Sequence, residues 1–318
     1  MREMGTPNPE LSVILVAGDR RRRVERVLEA IAAQTFAGEL ETVVVDVTGD
    51  EASPLRFPDD LRMVLLALPR ETTWGEARAA GLRRATAPVV AYIEEHCYPS
   101  HGWAEALMEA HREPWAAVGY AFTNANPESY PARTAMMLDY GRWAHPARGG
   151  AATLLPYNNV SYKREAIVSL GDLEQSLDSD FHALGALARK GMSLAIEPRA
   201  LVAHENFDRV APFLRSHYHY CRLLAARRAD LGNWSHARRA LYVLATPFVA
   251  PPIYAGRLFG SLRGRRTLAG PMLTTLPVLV VKAIVAAIGE TAGYALGPGN
   301  SVHGMKHYEI HAERASLR

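Results

Sequence analysis

Apolar residues in the first third of the chain come in short runs separated by helical stretches. Leu11-Ser-Val-Ile-Leu-Val-Ala17 is rich in β-branched residues and predicts a buried strand. Val24, Val27, Leu28 and Ile31 follow at helical spacing, and that helix runs out near Gln34-Thr35. Thr42-Val-Val-Val-Asp46 and Arg62-Met-Val-Leu-Leu-Ala-Leu68 predict two more strands, and Glu76 to Ala85 a helix. Pro88-Val-Val-Ala-Tyr-Ile93 is a fourth strand, followed by a helix from Trp103 to His111 and a strand from Ala116 to Phe122. Strands alternating with helices predict an α/β fold with a doubly wound, mostly parallel sheet. Ligands of such sheets bind beyond the carboxyl ends of the strands. That rule singles out Asp46 at the end of the second strand and Glu94, Glu95 and His96 at the end of the fourth.

The pattern changes further along. Tyr157-Asn-Asn-Val-Ser-Tyr162 is polar and extended, Asp180 to Gly191 predicts a helix stopped by glycine, and Ser193–Ile196 and Ala200–Ala203 predict two short strands. Arg209 to Ala229 predicts a long amphipathic helix. Two apolar stretches close the chain, 240–262 and 272–296. The first is broken by Pro247, Pro251 and Pro252, the second by Lys282 and Glu290, and Arg257, Arg263, Arg265 and Arg266 lie in or between them. Each is near the ~20 residues that cross a bilayer. Prolines and charges favour helices lying in or dipping into a membrane surface, with a buried hairpin or a dimer interface as the alternative. Two domains are expected, 1–230 and an apolar helical extension, 231–318.

Composition narrows the function classes. The 318 residues are 48% hydrophobic and 22% charged, enough to bury a core. A net charge of +3 gives no case for nucleic acid. Lys occurs only at 163, 190, 282 and 306, so the cations are nearly all arginine, which suits phosphate clamping as well as biased composition. Cys97 and Cys221 form no CxxC motif or disulfide framework. The first ten residues lack the apolar stretch of a signal peptide, so a cytoplasmic location is expected.

Two carboxylates and an imidazole after an apolar strand are costly to bury without a partner. Glu94 and His96 could turn toward one divalent cation, which would bridge the phosphates of a sugar nucleotide. The imidazole tilts preference from Mg²⁺ toward Mn²⁺. A solvated loop of ordinary charges fits the spacing as well. Asp180 starts a helix, where the dipole favours a carboxylate whatever its role. Asp46 could hold a base or ribose, or simply form a turn. Arg78, in a strand-to-helix connection, could contact a phosphate. His204 ends a strand and could be a late-arriving metal ligand, although a lone histidine there is commonly structural. His217 and His219 do not share a helix face, and His204-Glu205-Asn206 lacks the second histidine of a zinc-protease motif.

Taken together, these segments resemble the family-2 glycosyltransferases with a GT-A fold. The carriers are Ser12-Val-Ile-Leu, Leu28 to Gln34, and Val43-Val-Val-Asp46; Gly75-Glu-Ala-Arg78-Ala-Ala-Gly81 to Ala85; Tyr92-Ile-Glu94-Glu-His96-Cys-Tyr-Pro99 with Gly102-Trp103; Asn158-Asn159-Val-Ser-Tyr-Lys-Arg164; Asp180; and Pro198 to His204. The likeness covers residues 11 to 230. It implies inverting transfer of a sugar from a nucleoside-diphosphate donor to a hydroxyl acceptor, with Asp180 as general base. Glu94, Glu95, His96 and His204, with Mn²⁺ or Mg²⁺, would stabilise the departing diphosphate. Asp46 would hold the nucleoside, Arg78 a phosphate, and Asn158 and Asn159 the acceptor side. Glu94-x-His96 stands where the family has D-x-D, which together with the Gly289, Gly293 and Gly297 tail looks like a bacterial subgroup. The apolar tail suggests a lipid-linked or cell-envelope acceptor at the inner face of a membrane. The rival from another class is a non-catalytic sugar-nucleotide-binding or assembly protein. A nucleotidyltransferase would want a richer glycine loop than Val16-Ala-Gly-Asp-Arg20 supplies.

Overall fold

The computed structural model describes residues 8–49, 54–156, 158–178, 180–262 and 269–311. The side chains of residues 180, 181, 261, 262, 269 and 271 lie outside that description. The described strands are β1 (Leu11–Ala17), β2 (Leu40–Asp46), β3 (Met63–Ala67), β4 (Val89–Ile93), β5 (Cys97–Pro99), β6 (Ala117–Asn124), β7 (Gly150–Ala152), β8 (Val160–Lys163) and β9 (Leu194–His204). The helices are α1 (Arg21–Ala32), α2 (Trp74–Arg84), α3 (Trp103–Ala110), α4 (Tyr130–Tyr140), α5 (Arg164–Val168), α6 (Leu173–Leu177), α7 (Asp180–Arg189), α8 (Val210–Leu231), α9 (His236–Leu262), α10 (Ala269–Leu296) and α11 (Ser301–Lys306). They form two compact units, Met1–Thr123 with His145–His204, and Asn124–Ala144 with Glu205–Arg318.

The first unit is built on a sheet of order β3-β2-β1-β4-β8-β6-β9-β5, with β7 on β9. Its parallel part is β3-β2-β1-β4, where α1 carries the chain from β1 to β2 and α2 carries it from β3 to β4. Beyond β4 the pairings β4–β8, β6–β8, β5–β9 and β7–β9 are antiparallel. The sheet is therefore mixed, and its parallel character is confined to the half where helices make the crossovers. The two short strands expected around Pro198 are one strand, β9. Its first part pairs with β7 and its last part with β5, so the proline falls between the two sets of pairings. Strands β1, β2 and β4 are buried on both faces and mostly apolar, as parallel strands covered on both sides require, with Ser12 donating to Glu41 at the buried start of β1 and β2. Helix α2 starts sharply at Trp74 because Thr73 and Glu76 form a capping box.

The second unit is helical. Gly289 and Gly293 lie against the backbone of α8: a Cβ at 289 would stand 2.7 Å from the Tyr218 carbonyl oxygen, and one at 293 would stand 2.8 Å from Ala225 Cβ. These small residues let α10 approach α8 closely. Residues 205–231 group with the apolar helices in this unit. Polarity in α9 and α10 is inverted. Leu244 and Phe248 are 72% and 80% exposed, and Leu241, Ile253, Phe259, Leu273, Val280, Ile284 and Ile288 are exposed with them. Thr246, Thr275, Lys282 and Glu290 are buried instead. Lys282 pairs with Asp139 of α4, the Tyr254 hydroxyl donates to Glu290 (2.9 Å), and Arg228 donates to the Tyr294 hydroxyl (2.6 Å). Met272–Leu296 is long and apolar enough to cross a membrane by length and composition.

Candidate active site

The site lies in the first unit and starts from a turn. Strand β4 is fully buried and apolar, and the chain reverses directly after it, closed by the Cys97 N–H donating to the Glu94 carbonyl at 3.0 Å. The reversal sets the side chains of Glu94, His96 and Cys97 close together. Strand β5 then pairs antiparallel with β9 so that Cys97 faces His204. Residues more than a hundred positions apart in sequence thus meet through register alone.

Glu94 is held on both oxygens. Asn158 Nδ2 donates to Oε1 at 2.9 Å and Asn159 Nδ2 donates to Oε2 at 2.5 Å. The Glu94 N–H in turn donates to Asn159 Oδ1 at 3.2 Å. Asn158 takes a φ of 63°, a left-handed conformation that asparagine tolerates better than most residues. Its Oδ1 accepts from Trp74 Nε1 at 3.3 Å. Asn158 and Asn159, expected to line the acceptor side, are found clamping this carboxylate.

Around Glu94 Oε2 stand His96 Nε2 at 3.6 Å, His204 Nε2 at 3.8 Å and Cys97 Sγ at 3.6 Å. The two imidazoles meet edge to face with centroids 4.8 Å apart. One ligand atom from each of Glu94, His96, Cys97 and His204 lies within 4.8 Å of every other, and all four residues are buried. Donors bound at about 2.0–2.3 Å around one tetrahedral ion stand roughly 3.3–3.7 Å apart. The nitrogen-to-oxygen gaps of 3.6 and 3.8 Å are too long for good hydrogen bonds and lie within a few tenths of an ångström of that spacing. The donor set fits a divalent cation.

The other expected residues are found nearby or elsewhere in the unit. Glu95 is buried and accepts from the Gly18 N–H at 2.9 Å, tying the turn to the end of β1. Asp46 ends β2 and is also engaged on both oxygens: Arg21 donates to Oδ2 at 2.6 Å, and the Thr48 N–H and hydroxyl donate to Oδ1 at 3.0 and 2.8 Å. Arg70 forms a fork with Asp19 at 2.7 and 2.8 Å beside them. Arg78 is 1% exposed, donates to the Leu177 carbonyl at 3.1 Å and lies over the Tyr92 ring at 4.2 Å. That geometry orients the end of α6, which leads into α7. Asp180 is the first residue of α7; its side chain, like all of Ser179 and Tyr157, lies outside the described residues. Arg263, Arg265 and Arg266 also lie outside them. Cys97, Arg21 and Thr48 were not among the residues singled out by sequence. Cys97 was within reach, because it directly follows the Glu-x-His run.

Residues 12–167 match the family model described as "Glycosyl transferase family 2". An N-acetylglucosaminyltransferase of Mesorhizobium japonicum is 25% identical over 242 residues, which are 69% of this chain and 56% of that protein. A pre-mycofactocin glycosyltransferase of Mycobacterium tuberculosis is 28% identical over 221 residues, 64% of this chain and 44% of that one. The chain spans about half the length of the curated relatives it matches. Among solved structures, a mannosyltransferase from Pyrobaculum calidifontis in complex with GDP-Man and Mn²⁺ aligns with a TM-score of 0.53 at 18% identity, covering 90% of this chain and 87% of the other. That likeness shows the fold. The family match covers β1 to β8, the turn at Glu94 and the asparagine clamp, and over residues 12–167 this chain matches glycosyltransferase family 2, on a GT-A fold.

Proposed function

We propose that this protein is an inverting glycosyltransferase that moves a sugar from a nucleoside-diphosphate donor to an acceptor hydroxyl in cell-envelope or polysaccharide synthesis. The observation that carries it is the buried Glu94, His96 and His204 cluster at the carboxyl end of β4, inside a family-2 frame. A divalent cation held there supplies charge to stabilise the departing diphosphate. The rest falls to the chain's own residues. Asn158 and Asn159 fix the Glu94 carboxylate. Glu95 fixes the loop after β1, and Arg21 and Thr48 orient Asp46 for the nucleoside. Arg78 orients the approach to α7. Asp180 takes the proton from the acceptor hydroxyl as it attacks, and one base with one displacement gives inversion. The named activities of the relatives point to a hexose or N-acetylhexosamine as the transferred sugar.

A donor screen measures nucleotide release from UDP-, GDP- and dTDP-sugars, with the anomeric configuration of product read by NMR. Asp180→Asn is expected to lower the rate ~10²–10⁴-fold, the range for a lost general base. Wild-type turnover by that variant would remove Asp180 from the mechanism. The replacement of D-x-D by Glu94-x-His96 favours a second reading, a non-catalytic sugar-nucleotide binder. Nucleotide binding with no release from any donor would decide for it.

The outward apolar surface of α9 and α10 supports a membrane-facing role at the cytoplasmic side, with a lipid-linked acceptor. Helices exposed to water place polar groups outside, whereas these place them inside and pair them, as helices in lipid do. Met272–Leu296 extends about 37 Å as a helix, against a hydrocarbon core of about 30 Å.

A further inference from the structure

We propose that Cys97 is a fourth ligand, as thiolate, and that the site therefore takes a soft zinc-class cation and keeps it without any nucleotide bound. The inference rests on reading the Glu94 cluster as a cation site and says which cation, and how it is held.

Two independent features of the backbone put the sulfur there. The reversal after β4 brings residue 97 back onto residue 94, with Cys97 Sγ 3.6 Å from Glu94 Oε2. The β5–β9 register sets Cys97 directly opposite His204, on the same side of the two strands. The thiol therefore lies between the carboxylate and an imidazole that both belong to the set, and it is fully buried with them. A buried thiol next to a carboxylate can also be a small apolar filler with a weak S–H···O hydrogen bond. The two arrangements differ in what they bind.

The donor set decides the ion. Magnesium asks for octahedral oxygen at about 2.0–2.1 Å and keeps several waters, so it usually arrives with substrate phosphates on one or two carboxylates. Here the protein offers two imidazole nitrogens, one sulfur and one oxygen. Imidazole and thiolate suit zinc-class ions, and four such donors make a tetrahedral set. Four protein ligands would also hold the ion without help from a diphosphate, and a diphosphate oxygen would then join by expansion to five-coordination. On binding, the thiol proton leaves to solvent and the sulfur bonds as thiolate.

The test uses the full-length, untagged protein, purified without chelator or nucleotide. Metal analysis after dialysis is expected to find about one equivalent of zinc per chain. X-ray absorption at the zinc edge is expected to show a sulfur neighbour at about 2.3 Å. Cobalt exchange is expected to give an intense near-ultraviolet thiolate-to-cobalt band, lost in Cys97→Ser and kept in Cys221→Ser. Cys97→Ser should weaken zinc binding roughly tenfold or more, since even outer partners of metal ligands are worth that much. Because the absorption measurement is made on the wild type, the proposal remains testable if Cys97→Ser does not fold. Zinc bound with only nitrogen and oxygen neighbours overturns the thiolate and leaves a cation site. Tight binding of Mn²⁺ or Mg²⁺ only when a nucleoside diphosphate is present overturns the resident ion and leaves the cation-assisted reading. Metal-free protein, with glycosyl transfer unaffected by EDTA, overturns both.

Discussion

Gly75 is the second residue of α2, and it touches the segment that delivers Asp180. A Cβ at this position would stand 2.9 Å from Asp178 Cβ and 3.1 Å from Asp178 Cα, and nearer still to the Glu174 carbonyl oxygen. Carbon atoms settle at about 3.5–4.0 Å, so Gly75→Ala must push α6 and the start of α7 back by about 0.5–1 Å. Two of the three clashing atoms are backbone and cannot swing aside. Overpacking of this kind costs ~1–3 kcal/mol, while alanine's better helix propensity returns less than about 1 kcal/mol. The net should appear as a Tm lower by about 2–8 °C. The effect on chemistry should be larger, because a misplacement of about 1 Å transmitted to a reacting group can cost ~10²-fold in rate. The assay is steady-state nucleotide release from the preferred donor, with thermal melts on the same sample. We expect kcat to fall and KM for the donor to hold, since the nucleoside side of the site is untouched. A lowered Tm with unchanged kcat would show that this contact does not position Asp180. No change in either would refute the packing argument itself.

Two further outcomes are expected. His111 is buried with its Nε2 2.8 Å from Ser161 Oγ, and burial, helped by the Lys163 charge, pushes its pKa down to about 4. The unfolded chain then binds the proton more readily, so the stabilisation is whole above about pH 6.5 and drains away as pH falls toward 4, by about 3 kcal/mol. His111→Gln should flatten Tm against pH over that window, and an unchanged slope would refute the assignment. The double substitution Leu244→Glu and Phe248→Glu places two charges on the outward face of α9 and should abolish co-flotation with phospholipid vesicles, while donor turnover in detergent persists. Undiminished flotation would remove that face from the membrane reading.

The parallel half of the sheet was legible in sequence because its strands are short apolar runs joined by helices with their own period. That half already placed Asp46 and Glu94 at strand ends. The antiparallel half was not legible, since pairing between β4 and β8, or β5 and β9, leaves no local mark. Asn158 and Asn159 were visible as an odd polar pair, but the carboxylate they clamp lies across such a pairing. His204 could be suspected from the end of its strand, whereas its meeting with Cys97 is set by register. The apolar pattern reads as two short strands on either side of Pro198, and the single strand β9 tolerates the proline between its pairings with β7 and β5. Helix α4 opens with Tyr130-Pro-Ala-Arg-Thr134, where a proline and polar residues hide its period, and its Ser129 cap is recognisable only once the helix is seen.

The cluster at the end of β4 is also a clasp on the chain. Three of its donors lie within four consecutive residues, and the fourth, His204, follows about a hundred residues later at the end of the last strand of the sheet. Any ion that binds all four closes that long stretch into a loop and removes conformations from the unfolded chain. In the chain-entropy description, a cross-link closing about a hundred residues is worth about 4–5 kcal/mol, and a metal clip works in the same way. The constellation proposed to organise the diphosphate would then decide how firmly the β5–β9 edge of the sheet is stitched to its core, so removing the ion should lower the melting temperature even where no sugar nucleotide has ever been bound.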